Sequence, residues 1–144
     1  MKLSSPSFRE GEMLPPRFTC LGENVSPKLL LEGLPKGVKS IAIIMDDPDA
    51  PIGVFVHWMV WDITPADAIP ENSGNGIQGY NSFGKAGYRG PCPPPGRGPH
   101  RYFFKVFALD ALLELDPETA PAELERVIGG HVLAKAQLMG IFER

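Results

Sequence analysis

The chain has 144 residues, 43% of them hydrophobic and 22% charged, which is the composition of one soluble globular domain spanning residues 1–144 with room for a real core. Fourteen basic and seventeen acidic side chains give a formal charge of -3, so no general attraction to nucleic acid is expected. No run approaches the roughly 18 apolar residues of a membrane helix, and MKLSSPSFREGEM lacks the apolar region of a signal peptide, so no transmembrane segment is expected and a cytoplasmic location is. Two cysteines without a secretion signal read as free thiols rather than as one disulfide.

Residues 1–35 are broken by Pro6, Gly11, Pro15, Pro16, Gly22, Pro27 and Pro35, which leaves space only for short extended pieces, Arg17 to Leu21 and Lys28 to Leu31. Ser40 to Met45, SIAIIM, reads as a buried strand. It runs into DDPDAPIG, where Pro48 and Pro51 stiffen the connection and Asp46, Asp47 and Asp49 crowd together. Spacing alone leaves two readings of these acids: turn formers, or carboxylates facing one cavity. Residues 54–63, VFVHWMVWDI, are apolar on both sides and read as a central strand in strict alternation, with His57 inside the sheet and in need of a hydrogen-bond partner. Asp47 or Asp49 is the nearest candidate.

Thr64 to Asn81 is a polar excursion with turn signals at Asn72, Gly74, Asn75 and Gly76. From Gly84 to Pro99, ten of sixteen residues are Gly or Pro, so the loop is shaped rather than flexible. No acid occurs between Glu71 and Asp110, whereas Lys85, Arg89, Arg97, Arg101 and Lys105 do, and the loop is therefore cationic. It empties into Tyr102 to Leu109, a third strand, just after His100; in extended backbone His100 and Tyr102 share a face. Beyond Asp116-Pro117, Leu124, Val127, His131, Ala134 and Leu138 recur at helical spacing, which predicts one kinked helix or two short ones about Gly129-Gly130, with His131 packed on the apolar stripe and a short strand over 140–144.

The polar cluster is then Asp47, Asp49, His57, His100 and Tyr102. Paired carboxylates and imidazoles could ligate a divalent metal, but no metal-site spacing occurs. GxSxG and GxxxxGK[ST] are both absent, and the glycines neither follow a clear strand nor open a helix. No cofactor is expected. Anion binding by imidazolium, phenol and loop N–H groups remains.

DDPDAPIGVFVHW at 46–58 and GYRGPCPPPGRGPHRYFFKVFALD at 87–110 resemble the two signature segments of the phosphatidylethanolamine-binding protein (PEBP) family, which includes the Raf kinase inhibitor proteins. LPPRFTCLGENVSPKLLL and GGHVLAKAQLMGIFER resemble its compact bacterial and archaeal branch as well, so the likeness spans nearly the whole chain. The resemblance implies a mainly β fold: a PEBP-like β-sandwich with a large central antiparallel sheet, a smaller sheet and peripheral C-terminal helices. It also implies a surface pocket for phosphate-like anions, with Asp47, Asp49, His57, Gly90, His100 and Tyr102 as ligand-binding residues and Pro51 after a cis peptide bond. Mammalian members carry a further C-terminal segment over the pocket; without one the site is expected to be more open, or covered by a partner subunit in a homodimer. The function so implied is non-enzymatic binding of a small anionic group such as a phosphorylated headgroup, with regulation of a protein partner in the manner of a kinase or protease inhibitor. A hydrolase using the Asp/His cluster and a protein-interaction module with a vestigial pocket stay open as alternatives.

Overall fold

The computed structural model describes all 144 residues. Two antiparallel sheets form its frame. The smaller has the order β1 (Lys2–Ser4), β2 (Leu29–Glu32), β5 (Ala68–Ile69); the larger has the order β6 (Ile77–Gln78), β4 (Phe55–Ile63), β3 (Ser40–Asp47), β7 (His100–Leu109), β8 (Val132–Phe142). The sandwich with a large and a small sheet thus matches the architecture implied by the sequence, with one helix, α1 (Pro121–Gly129), at the periphery.

The apolar strands lie where their composition demands. β3 is buried along its entire length, between β4 and β7, because apolar side chains leave both of its faces to be covered. On one face Ile41, Ile43, Met45, Trp58, Val60, Phe104 and Val106 meet Leu3, Leu29, Leu31 and Ile69 of the small sheet. On the other, Ala42, Ile44, Met59, Trp61 and Leu109 are covered by Leu124 and Ile128 of α1. Burial of such a side chain contributes about 1.5–3 kcal/mol, so this two-sided packing fixes β3, β4 and β7, which carry the chemistry described below.

β4 departs from strict alternation. Met45 and Asp46 of β3 stand opposite Trp58 and Val56, so His57 has no β3 partner of its own and forms a bulge. Val56 joins the cluster under α1, while Trp58 packs between the sheets and His57 meets Tyr102 on that same side. A second irregularity opposite Ile41 and Ile43 puts Asp62 at φ 55, where its carboxylate accepts from the N–H groups of Leu113 and Glu114.

Several expectations are corrected. Arg17 to Leu21 is no strand: Pro16–Phe18 is a short 3-10 turn, since Pro15 and Pro16 deny the N–H groups a ladder needs. Residues beyond Gly129 leave the helix and form the eleven-residue β8, paired along β7. His131 therefore lies between α1 and β8, partly exposed, with Nδ1 2.8 Å from an Asp110 carboxylate oxygen instead of packed on an apolar stripe. The Ala50–Pro51 bond is trans, as is every other peptide bond. Pro51 follows Ala50 in a turn closed by Gly53 N–H to Ala50 C=O at 3.2 Å, a position that needs only the proline's fixed φ. Cys20 and Cys92, expected as free thiols, form a disulfide: Cys20 N–H donates to Pro91 C=O at 3.0 Å, and this docking of the loop brings the two Cα atoms to 5.4 Å.

Candidate functional site

β3, β4 and β7 end beside one another, and the chain they deliver there encloses a cavity of about 160 Å³. Asp47 comes from the end of β3, His57 from the bulge of β4, His100 and Tyr102 from the start of β7. Pro51 and Pro93-Pro94 form walls, and Phe55 and Phe83 complete the apolar part. Pockets for drug-sized molecules run to about 300–1,000 Å³, so this one suits a single small group.

The polar side chains are held from behind. Asp47 Oδ1 accepts the backbone N–H of Asp49 at 2.7 Å, and Oδ2 lies 2.7 Å from His100 Nδ1. Because the carboxylate only accepts, Nδ1 of His100 carries a proton, and the contact is an ion pair whenever the ring holds a second one. His57 Nδ1 lies 2.7 Å from the carbonyl oxygen of Arg89, which likewise fixes the proton on Nδ1. Arg89 N–H returns the bond to His57 C=O at 3.1 Å, tying the Gly/Pro loop to the bulge. Neither Nε2 has a protein partner, and no side-chain polar atom is at once sealed and unpaired, so both imidazole edges open on the cavity.

Aromatic rings set the ring planes. His57 contacts Phe55, Phe83 and Tyr102 at centroid distances of 4.9, 5.6 and 5.3 Å, and His100 stacks against Tyr102 at 6.4 Å. Burial lowers the His57 pKa from its ordinary value, opposed by the Arg89 carbonyl and the Asp47 charge. At neutral pH His57 is therefore uncharged and presents a lone pair at Nε2. Burial, with Asp47 and Asp49 adding to it, pushes the Tyr102 phenol far up, so it remains an O–H donor.

Asp49 is committed elsewhere. Arg101 donates to it from its backbone N–H, Nε and one terminal nitrogen, each at 2.9 Å. Those hydrogen bonds hold the Asp49 carboxyl down at about 2, against the opposing effect of burial. Asp46, at the end of β3, is instead paired with Lys105 Nζ at 2.9 Å. Thus of three neighbouring acids only Asp47 reaches the cavity, and both of its oxygens are already accepting.

A family model described as phosphatidylethanolamine-binding protein matches residues 4–143. The chain belongs to the phosphatidylethanolamine-binding protein family. Its relatives include the UPF0098 protein PH1269 of Pyrococcus horikoshii, 46% identical over 153 residues that cover 100% of this chain and 77% of the relative. Among solved structures, the phosphatidylethanolamine-binding protein homolog CT736 of Chlamydia trachomatis superposes with a TM-score of 0.93 at 34% identity, covering 99% of this chain and 97% of the other. YbcL of Escherichia coli, described as a member of the mammalian PEBP family, gives 0.91 at 32% identity, covering 99% and 98%.

Within this PEBP fold, Asp47, His57, His100, Tyr102 and Pro51 all line the cavity. Asp49 does not, and its place is to brace the loop entrance through Arg101. Gly90 does not either: it lies at the back of the Gly/Pro loop, with its N–H on Asn24 Oδ1 at 2.6 Å and no space for a Cβ, which would sit 1.9 Å from Phe18 O. Phe55, Phe83, Cys92, Pro93 and Pro94 line the cavity in addition to the residues that the sequence points to. Phe55 stands two residues before His57 in extended backbone and so on its side of the strand, and Cys92, Pro93 and Pro94 belong to the shaped Gly/Pro loop; Phe83 carries no such signal.

Proposed function

We propose that the cavity binds a small phosphate-like anion without turning it over. The supporting observation is the donor arrangement: two imidazole edges and a phenol open on a headgroup-sized space whose one acid, Asp47, is already saturated by His100 and the Asp49 N–H. A monoprotonated phosphate suits it atom by atom. Its P–OH donates to the bare Nε2 of His57, and its charged oxygens accept from Tyr102 O–H and from Nε2–H of His100 when that ring is protonated. The phosphate in the headgroup of the family's namesake lipid has the same acceptor chemistry, and the small volume leaves acyl chains outside. Any regulation of a protein partner would act through occupancy of this site by a phosphorylated group.

The account is tested by titrating inorganic phosphate and O-phosphoserine while following the histidine ring resonances by NMR. Both His57 and His100 must shift, saturably, and Tyr102→Phe must weaken the effect. Absence of shifts at millimolar concentrations overturns the reading. Hydrolysis of phosphate or carboxylate esters that is lost in His57→Ala would favour the hydrolase alternative, while partner capture unchanged by pocket variants would favour the interaction module.

A further inference from the structure

The Cys20–Cys92 bridge borders two cavities at once. Cys92 is part of the anion-pocket wall, and both cysteines, each partly exposed, line a neighbouring groove of about 290 Å³. Lys85, Arg89 and Asn24 share that groove, and no acidic side chain lines it. Neither Lys85 nor Arg89 takes part in an ion pair. A partly exposed S–S bond therefore lies in a groove with two cations and no acidic side chain.

We propose that this groove is a thiol–disulfide exchange site for small thiols bearing carboxylates, and that the bridge is a reducible latch on the wall of the anion pocket. The carboxylates dock on Lys85 and Arg89 while the thiolate attacks one bridge sulfur. A new S–S bond forms to the incoming thiol, the Cys20–Cys92 bond breaks, and the other cysteine leaves as a thiolate, which the same cations stabilise. A second thiol attacks the mixed disulfide and departs as the external disulfide. Two external thiols are oxidised, the bridge is reduced, and their two protons end on Cys20 and Cys92. Opening the bridge removes the covalent tie of the segment that runs from Arg89, the residue holding His57, to Pro94 in the pocket wall. Noncovalent ties remain at Gly90 N–H to Asn24, Cys20 N–H to Pro91 C=O and Arg144 Nε to Pro93 C=O, so the wall loosens without being released.

The experiment compares glutathione, an anionic thiol, with cysteamine, a cationic one, at equal thiolate concentration and low salt. Bridge opening is followed by alkylation of free thiols and intact mass. Glutathione must open the bridge at least about ten-fold faster, the low end of electrostatic steering. Lys85→Ala with Arg89→Ala must abolish the preference, and added salt must abolish it in the unaltered protein, which keeps the test decisive if the double variant misfolds. A bridge resistant to both thiols, equal rates, or a preference that survives salt overturns the exchange site. The latch is read separately: reduction must shift the His57 and Tyr102 ring resonances in the absence of phosphate, and unchanged resonances contradict it. Neither measurement depends on anion binding, so failure of the proposed function leaves this inference standing or falling by itself.

Discussion

Replacing Asp47 by Asn tests the electrical logic of the pocket with almost no change of shape. The Asn oxygen can keep the 2.7 Å bond from Asp49 N–H, which leaves the amide NH2 directed at His100 Nδ1. Two donors cannot face each other, so His100 must give up its Nδ1 proton and carry one on Nε2 instead. The ring then donates to an anion as a neutral group, whereas in the unaltered protein it donates only as an imidazolium paired with Asp47. Hydrogen bonds to charged groups contribute about 1.5–3 kcal/mol and neutral ones about 0.5–1.5. The difference of about 1.3 kcal/mol corresponds to about nine-fold weaker phosphate binding in Asp47→Asn than in a parent whose ring is doubly protonated. With a single proton, held on Nδ1, the parental ring turns a bare Nε2 to the anion while the variant still donates Nε2–H, so the order reverses. Nitrogen-detected NMR reports the His100 tautomer and its number of ring protons, and calorimetry under the same conditions reports affinity. An Nδ1-protonated His100 in the variant, or a variant that binds more weakly even where the parental ring holds one proton, would contradict this assignment.

Other substitutions probe the frame. Asp49→Asn removes a carboxylate whose folded pKa, about 2, lies below its ordinary 3.8. The stability it contributes is therefore present above the ordinary value and lost as pH falls toward 2; for this largely exposed pair it amounts to no more than about 1 kcal/mol, measured as a difference in urea unfolding between neutral and acidic pH. Gly90→Ala drives a Cβ against Phe18 O at 1.9 Å and Asn24 Oδ1 at 2.9 Å, and should cost at least about 2 kcal/mol in the same assay. Cys20→Ser with Cys92→Ser opens a loop across 72 positions and should lower stability by about 2–4 kcal/mol under oxidising conditions, with no loss relative to the reduced parent. His57 should titrate below its ordinary value of about 6.5 in the free protein and move upward when phosphate is added, by ring NMR.

Legibility followed the physics of each segment. SIAIIM and YFFKVFAL could be read as strands because β-branched and aromatic runs have few other ways to be buried, and both became inner strands of the large sheet. The late helix was over-extended for a different reason. Leu124 and Ile128 do mark a helical face, but Ala134, Ala136 and Gly140 are too small to announce the alternation of β8, and Leu138 falls by coincidence on the helical period. The ladder to β7 decides the outcome, overriding local preference from Val132 onward.

At the site, sequence order placed Asp47 and His100 in two separate motifs but could not show their contact, which depends on β3 and β7 being neighbours. Asp49 and Asp47 look equivalent two residues apart; what separates them is Arg101, which binds one and leaves the other facing inward. The bulge at His57 has no local marker, since neither Gly nor Pro stands there. The disulfide is equally invisible, because two lone cysteines carry no pairing information until the loop docks on Cys20.

A crystal structure of the protein soaked in inorganic phosphate is the most direct test of the central claim. The account predicts a phosphate in the cavity within hydrogen-bond reach of His57 Nε2, His100 Nε2 and Tyr102 O–H, with His57 still donating through Nδ1 to Arg89 C=O. An empty cavity at saturating phosphate, or an anion held only by surface Lys and Arg side chains, would contradict it.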